Sequence, residues 1–383
     1  MHLTSLTLKY GILVITIAAV SCCRKNISET PSDKELPVVE GGTRNPLKWP
    51  FEQKSIWNMP IGSNAVYVHA RIEKAMQAGM TIDEDYIVME PDAPLVNIYE
   101  NFAGWDRNKS RCEIQGKVLF QAPIPKHFVV SPATWDGSTP NAGLAVLMPD
   151  RKTIKQTQPF AFCDTSKGAT SQYIFQDLDI YGTGMYGAHG GSGLSAIGGA
   201  LRLGELTPAS GPILHALKVN IFGRKNIYYD NETKGYRWPA LRADGYAAGN
   251  YYKDRKDMVV KACRMGALLA LPASMDLDKM GFETTPARIL AEAFQNYGGY
   301  LCDDTAWDVY AIITEWGPDG RFDDEFQKNW GFSMKQNSKD TPWSRDMDRL
   351  FLNLHVVDNN SSTSVGGGGK PRMPLAPVFE PTK

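Results

Sequence analysis

Two carboxylates and a histidine are the residues of this sequence whose types and positions are best suited to catalysis. The stretch GTGMYGAHGGSGLSAIGGALRLGEL, residues 182–206, has nine glycines in twenty-five positions and carries His189 and Glu205. Asp304 and its neighbour Asp303 follow the apolar run YGGYLC, where a buried strand would end. Hydrolysis of a glycosidic bond requires two carboxyl groups that flank it. We therefore predict Glu205 and Asp304 as the catalytic pair, with His189 as a further catalytic residue.

Glu205 is the preferred general acid because its neighbours Leu203 and Leu206 are apolar. An apolar environment favours the protonated form of a carboxyl group, which a general acid needs. Arg202 is close enough in sequence to oppose that effect. An ion pair between Glu205 and Arg202 at a strand end is the alternative interpretation, and turn formation is the alternative for Asp303 and Asp304.

Cleavage by elimination would need different groups, namely a cation for a uronate carboxylate and a His or Tyr base. The sequence offers His189 and Tyr252 as bases, and Trp238 beside Arg237 as a platform for a sugar ring. A buried structural histidine is the alternative for His215. The residues predicted to contact substrate are Arg202, His215, Arg237, Trp238, Tyr252 and Ser192.

The glycine-rich stretch has three interpretations. The run from Gly182 to Gly187 matches G-x-G-x-x-G, but the glycines that follow would each cost a helix about 1 kcal/mol, so a dinucleotide site is excluded. A nucleophile elbow is incomplete, because Leu194 stands where Ser192 would need a second flanking glycine. A cleft in which a ligand or another chain segment approaches the backbone remains, together with a purely structural crossover.

The sequence predicts no metal site and no cofactor. Asp177 and Asp179 alternate on one strand face and suggest calcium, but two carboxylates are too few for a site. The four cysteines of the body, Cys112, Cys163, Cys263 and Cys302, lack zinc-site spacing and allow three disulfide pairings. Apolar context predicts buried free thiols for the last two.

The N-terminal residues predict export. A short apolar run, residues 11–20, precedes Ser21-Cys22-Cys23 and is too short for a membrane span. Cys22 resembles the acylated cysteine of bacterial lipoproteins, which predicts a membrane partner through a lipid anchor in the cell envelope; cleavage without a lipid is the alternative. The formal net charge of −1, with no basic block, indicates no nucleic-acid partner.

The elements that must position these residues are mostly strands. Short Val-, Ile-, Tyr- and Phe-rich runs alternate with Gly, Pro, Asn and Asp, which predicts an antiparallel β-sandwich of the jelly-roll kind, α+β overall. Three flanking helices are predicted, over residues 257–271, 285–297 and 344–354. The predicted organisation is a signal peptide (1–21), a flexible tether (22–48), a single β-rich domain (49–360) and a loop or C-terminal tail (361–383).

Several motifs occur together across the body: SIWNMPIG (55–62), AHGGSGLSAIGG (188–199), RLGEL (202–206), and NNSSTSVGGGG (359–369). In this order they resemble a largely uncharacterised family of secreted proteins from polysaccharide-degrading bacteria and fungi. The resemblance implies extracellular work on glycans and no particular reaction. We expect a glycoside hydrolase or polysaccharide lyase acting on a polysaccharide or oligosaccharide, with hydrolysis preferred. The alternatives are a non-catalytic surface glycan-binding lipoprotein and a structural envelope protein.

Overall fold

The computed structural model describes residues 42–131, 141–255, 257–258 and 260–380, so the expected signal peptide, the Cys22 site and most of the tether lie outside the described residues. Strands hold 27% of the chain and helices 15%, which makes the fold β-rich and mixed. The strands are β1 Thr43–Arg44, β2 Tyr67–His69, β3 Thr81–Val88, β4 Leu95–Glu100, β5 Val118–Pro123, β6 Leu144–Leu147, β7 Thr153–Gln158, β8 Ala161–Asp164, β9 Gly168–Ser171, β10 Tyr173–Ile174, β11 Leu178–Asp179, β12 Leu217–Ile221, β13 Leu268–Ala270, β14 Gly299–Asp304, β15 Tyr310–Gly317, β16 Gly320–Arg321, β17 His355–Val357 and β18 Val378–Phe379.

A twelve-stranded sheet organises the described residues. Its order is β10-β7-β6-β3-β15-β12-β14-β13-β17-β2, with β11 beside β7 and β16 beside β15. A smaller sheet has the order β5-β4-β9-β8. The central strands β3 and β15 are almost entirely buried, because both faces of the large sheet are covered.

The large sheet is mixed, which corrects the expectation of antiparallel strands. β3 is parallel to both of its neighbours, β15 and β6, and β12 is parallel to β14. Parallel neighbouring strands are usually recognised in a sequence by a helix that connects one strand to the next. Here the segment between β3 and β6 contains β4 and β5, and the segment between β12 and β14 contains β13 as well as helices. The sequence therefore lacks the regular alternation of strands and helices that would have indicated parallel pairing.

Three apolar cores fill the space around the sheets. One core lies between the large sheet and the longer helices, and a second lies between the opposite face of that sheet and the glycine-rich stretch. The third packs β3 and β6 against the smaller sheet, so that part of the molecule is built of two facing sheets. The second core matters most here, because polar side chains interrupt it.

The helices are few. They are α1 Gly223–Asn226, α2 Ala247–Asn250, α3 Thr285–Asn296, α4 Phe322–Trp330 and α5 Pro342–Leu352. The predictions at 285–297 and 344–354 are confirmed by α3 and α5. The Asp346 carboxylate on α5 accepts hydrogen bonds from the backbone N–H groups of Glu283 and Thr284, and so caps the start of α3.

The predicted helix over residues 257–271 is wrong. The described part of that segment forms turns followed by β13, which pairs with β14 and β17. Gly266 has a φ of 86°, a left-handed conformation that ends helical geometry, and pairing with the sheet replaces local hydrogen bonds. The sequence analysis missed α4, although three acidic residues in its first turn and Gly331 after its end are typical helix boundaries.

The two ends of the described chain meet. β1 and β18 form a parallel pair, and Arg44 Nε donates to the carbonyl oxygen of Pro377 at 2.7 Å. The Arg44 guanidinium also lies over the Phe379 ring, 3.9 Å from its centre. Residues 361–380, suggested from sequence as a loop or tail, therefore pack into the body.

Cys112 and Cys163 form a disulfide, one of the pairings that the sequence left open. Cys263 and Cys302 are buried and free, as predicted. Within the described residues, no helix combines the length and apolar character that crossing a membrane requires.

Candidate active site

A pair of acidic residues in the middle of the large sheet begins the site. Asp83 and Asp85 alternate along β3 and so point to the face covered by the glycine-rich stretch, whereas Glu84 points to the other face and pairs with Arg321 at 2.6 Å. Asp85 is 1% exposed and Asp83 8%. Acidic side chains this deep in a central strand need specific partners to offset the cost of burial.

Neighbouring strands bring further polar groups to the same face. Lys218 and Asn220 alternate on β12, and Asn220 lies in register with Asp303 on β14. A β-bulge at Cys302 shifts the alternation of β14, so that Asp303 points to the same face as Asn220. Asn220 Nδ2 donates to Asp83 Oδ2 at 3.2 Å. Strand register therefore assembles one cluster from residues more than two hundred positions apart.

His189 enters this cluster from the glycine-rich stretch. Its Nδ1 atom lies 3.1 and 3.0 Å from the two carboxylate oxygens of Asp85, and Lys218 Nζ lies 2.5 Å from Asp85 Oδ2. His189 Nε2 lies 3.9 Å from Asp83 Oδ2. Asp85 thus holds one side of the imidazole ring and leaves the other side facing Asp83.

Asp303 connects the buried part of the cluster to its rim. Carboxylate oxygens of Asp303, Asp304 and Asp244 lie within 4.8 Å of one another. The hydroxyl of Tyr246 donates to Asp304 Oδ1 at 2.7 Å, and that of Tyr251 donates to Asp244. Asp244 and Asp304 are half-buried, so the rim is open to solvent. We call the set Asp83, Asp85, His189, Lys218, Asn220, Asp244, Asp303 and Asp304 the Asp–His cluster.

The glycines of the stretch have two physical roles. A Cβ atom at Gly190 would overlap the Asp303 carboxylate, and one at Gly191 would lie 2.7 Å from an Asp244 oxygen. Farther along, Gly198 and Gly199 lie against the Trp57 ring. The first pair lets two acidic side chains approach the backbone, and the second lets the ring of a core residue do so. Both pairs therefore serve close approach by other segments of the chain.

Burial and neighbouring charges shift the pKa values of the carboxyl groups in the Asp–His cluster. Burial raises the pKa of Asp83, and burial together with the neighbouring Asp244 and Asp304 raises the pKa of Asp303 well above its usual range. Burial, reinforced by Asp244, raises the pKa of Asp304 to about 7. Burial would also raise the pKa of Asp85, but His189 and Lys218 outweigh it and lower that pKa. Asp85 is therefore the carboxylate that stays charged.

Glu205 belongs to a second cluster. Its carboxylate lies 3.0 Å from His215 Nε2 and accepts a hydrogen bond from the Arg202 backbone N–H at 2.7 Å. The Arg202 side chain pairs with Glu315 at 2.8 Å instead. These residues line a groove of about 1010 Å³, bordered also by Trp49. We call Arg202, Glu205, His215 and Glu315 the groove cluster.

The structure therefore places His189 and Asp304 in one cluster, each close to Asp303, but gives Glu205 other partners. Ser192 is buried, and its hydroxyl accepts a hydrogen bond from the Leu194 N–H. Arg237 pairs with Asp358 at 3.0 Å, and Trp238 is half-buried against the second core. The remaining predicted group, the Tyr252 hydroxyl, accepts a hydrogen bond from the Val260 N–H.

Asp177 and Asp179, which suggested calcium in the sequence, form ion pairs with lysines in the structure. Asp177 pairs with Lys155 at 2.8 Å, and Asp179 pairs with Lys152 at 3.3 Å. Each carboxylate thus has its own lysine, which leaves no negative charge to attract an ion.

Sequence reasoning missed Asp83, Asp85, Lys218, Asn220 and Asp244. A signal existed for the β3 pair, because the acidic run Asp83-Glu84-Asp85 interrupts an otherwise apolar strand sequence, MTIDEDYIVM. Lys218 similarly stands in the apolar run HALKVNI. Charges where a central strand must be buried indicate partners elsewhere in the fold. Asp244 lies in a loop and carried no such signal.

Comparisons with known proteins assign the chain to no family. No family model matches the chain, and no curated protein or solved structure does so either.

Proposed function

We propose that the protein is an exported enzyme that cleaves glycosidic bonds of a polysaccharide or oligosaccharide at the Asp–His cluster, with hydrolysis preferred to β-elimination. The observation that carries the proposal is the approach of Asp244 and Asp304 at an open rim, with carboxylate oxygens within 4.8 Å. Hydrolases that retain anomeric configuration place their two carboxyl groups about 5–5.5 Å apart, whereas inverting enzymes need about 6.5–9.5 Å. The close approach supports a retaining reaction.

Aromatic side chains beside the rim support a sugar ligand. Tyr246 is 54% exposed although its hydroxyl is fixed on Asp304, and Trp307, three residues after Asp304, is 40% exposed. Large exposed rings provide apolar contact area with a polar edge, which suits the faces and hydroxyl groups of a sugar. The same rings are the specific observation that favours the second candidate, a non-catalytic glycan-binding protein.

The partners of the predicted bases support hydrolysis over elimination. His189 is fully buried and bonded to Asp85, and the Tyr252 hydroxyl is engaged by the Val260 N–H. Asp244 and Asp304 are half-buried, so the carboxyl groups at the rim are better placed to meet a substrate than His189.

The decisive experiment incubates the full chain with a panel of plant, algal, fungal and host polysaccharides while reducing ends and ultraviolet absorbance are followed together. New reducing ends without absorbance are the expected result. A parallel rise in absorbance would establish elimination. Retention of a polysaccharide in an affinity gel without any cleavage would replace the enzyme by the binding protein.

Variants locate the reaction within the molecule. We expect Asp304→Asn and Asp244→Asn to lower the rate at least about 100-fold, because each removes a carboxyl group from the pair. Asp254→Asn is the matched control, since Asp254 is an exposed partner of Arg224. Glu205→Gln distinguishes the clusters: a loss as large as that of Asp304→Asn would move the reaction to the groove cluster.

We further propose that the chain is a lipoprotein of the bacterial cell envelope, anchored through Cys22. The disulfide between Cys112 and Cys163 supports an oxidising compartment. Labelling of expressing cells with a fatty-acid analogue should mark the full chain and spare Cys22→Ser. Equal labelling of both would refute the anchor.

A further inference from the structure

One side of the His189 ring has no partner in the described part of the chain. The side chain is fully buried, and Nε2 forms no hydrogen bond there. Both oxygens of Asp85 face Nδ1, so Nδ1 carries the proton and Nε2 presents a lone pair. Lys218 keeps Asp85 charged and in place. In this tautomer, His189 Nε2 is oriented as an electron-pair donor.

The groups in front of this lone pair are acceptors as well. Asp83 Oδ2 lies 3.9 Å from Nε2, too far for a hydrogen bond, and Asp83 Oδ1 has no partner among the described residues. Donor atoms of His189, Asp83 and Asp303 all lie within 4.8 Å of one another. Buried acceptors that face each other are unfavourable unless a proton or a metal ion lies between them.

The positive charges near these acceptors are already engaged. Lys218 Nζ contacts Asp85 and the Ser195 carbonyl oxygen. Arg242 is exposed, and its positive charge interacts with the Asp244 carboxylate. Neither faces the space that His189 Nε2 shares with Asp83 and Asp303.

We propose that His189 Nε2 and the carboxylates of Asp83 and Asp303 bind one divalent first-row transition metal ion, of the zinc or manganese class. One imidazole nitrogen with two carboxylates suits these ions, whereas calcium and magnesium prefer oxygen ligands alone. Metal–ligand bonds of about 2.0–2.2 Å place tetrahedral donors roughly 3.4 Å apart. Small side-chain movements would bring the three donors to that spacing.

The surrounding groups have the arrangement expected around metal ligands. A carboxylate on the far nitrogen of a ligating histidine fixes its tautomer and raises its basicity, which is the relation of Asp85 to His189. Asn141 Nδ2 donates to Asp303 Oδ2 at 2.8 Å and to Asp83 Oδ2 at 3.2 Å. Asn141 therefore holds the two carboxylates side by side as a positioning residue.

Metal binding is tested directly and independently of any glycan reaction. The full chain, free of an oligohistidine tag, is treated with a chelator and titrated calorimetrically with Zn²⁺, and separately with Ca²⁺. We expect one Zn²⁺ per chain, with Ca²⁺ at least about 100-fold weaker. No Zn²⁺ binding by the folded chain, or Ca²⁺ binding of equal strength, would overturn the proposal.

Variants and spectroscopy identify the ligands. We expect His189→Gln and Asp303→Asn to weaken Zn²⁺ binding at least about 100-fold, while His215→Gln, which removes another buried histidine bonded to a carboxylate, keeps it. Unchanged affinity in His189→Gln would refute the assignment. Should these variants fail to fold, pulsed electron paramagnetic resonance of Mn²⁺ bound to the unsubstituted chain must show coupling to one histidine nitrogen. A spectrum without nitrogen coupling excludes His189 as a ligand.

Discussion

The Asp–His cluster and the groove cluster use the same kinds of side chain, and both include residues on the same face of the large sheet. Asp85 and Glu315 even occupy paired positions on the adjacent strands β3 and β15. In the groove cluster each carboxylate has a cationic partner, His215 for Glu205 and Arg202 for Glu315. In the Asp–His cluster the carboxylates outnumber the nearby cations, and buried acceptor atoms lack partners among the described residues. Ion pairs such as those of the groove cluster can be purely structural. A surplus of buried carboxylates, in contrast, needs a bound ligand or a proton to offset its charge, and this makes a functional role the better explanation.

The comparison has one exception. A guanidinium nitrogen of Arg202, Nη1, is buried in the groove cluster without a hydrogen-bond partner in the described residues. A single unpartnered donor of a guanidinium group leaves its ion pair with Glu315 intact. Among the described residues Asp303 accepts hydrogen bonds from Asn141 and the Asp304 N–H but forms no ion pair with a lysine or arginine.

The largest expected effect is the removal of the buried cation of the Asp–His cluster. Lys218→Met keeps the length of the side chain but leaves Asp85 without its lysine, and breaking a buried pair costs about 3–5 kcal/mol. Denaturant unfolding measures this loss directly. Lys155→Met is the control, since its partner Asp177 is largely solvent-exposed and such pairs contribute less than about 1 kcal/mol. A loss below about 1 kcal/mol for Lys218→Met would mean that the buried pair does not stabilise the fold.

A smaller effect should follow from filling the backbone space beside Asp303. The added methyl group of Gly190→Ala would overlap the Asp303 carboxylate, and such overpacking costs about 1–3 kcal/mol. We expect a lower free energy of unfolding together with weaker Zn²⁺ binding. Gly245→Ala is the control, because nothing lies within 4 Å of its added Cβ atom. Equal behaviour of the two variants would show that the close approach at Gly190 has no functional role.

The smallest effect concerns the groove cluster and depends on pH. Burial alone would lower the pKa of His215, but Glu205 outweighs burial and raises it. The charged pair therefore stabilises the fold fully below the ordinary histidine pKa of about 6.5, and this contribution is lost as the pH rises through the higher folded value. Glu205→Gln should cost about 1–2 kcal/mol at pH 5.5 and less at pH 9.

Unfolding free energies of the unsubstituted chain and Glu205→Gln at the two pH values check this prediction. His215→Gln serves as the reference, because without the imidazole the difference should no longer depend on pH. A cost of Glu205→Gln that grows with pH would contradict the assigned pair.

Much of the local structure could be predicted from the sequence. The apolar runs that became β3, β4, β6, β12 and β15 were recognisable by composition, and α3 and α5 by their period of 3.6 residues. β13 could not be recognised, because its conformation depends on pairing with β14 and β17 rather than on local preference. Parallel pairing was likewise not recognisable, since the connections between parallel neighbours contain strands that pair elsewhere instead of a single helix.

The candidate site was predictable only by residue type. His189 and Asp304 were identified as residues able to perform chemistry. Asp85, the hydrogen-bond partner of His189, is 104 positions away from it, and no local pattern reports such a contact. Glu205 illustrates the reverse problem. Its apolar neighbours suggested catalysis, whereas the fold gives it His215, only ten residues away, as a partner.

The pairing of β1 with β18 has a consequence for the chain as a whole. The first and last strands of the described residues lie side by side and are joined by Arg44, which contacts both Pro377 and Phe379. The two ends of the folded body are therefore mechanically coupled. A pulling force applied to residues ahead of Thr43 would act first on the pairing between β1 and β18. Neither end can be peeled away without loosening the other.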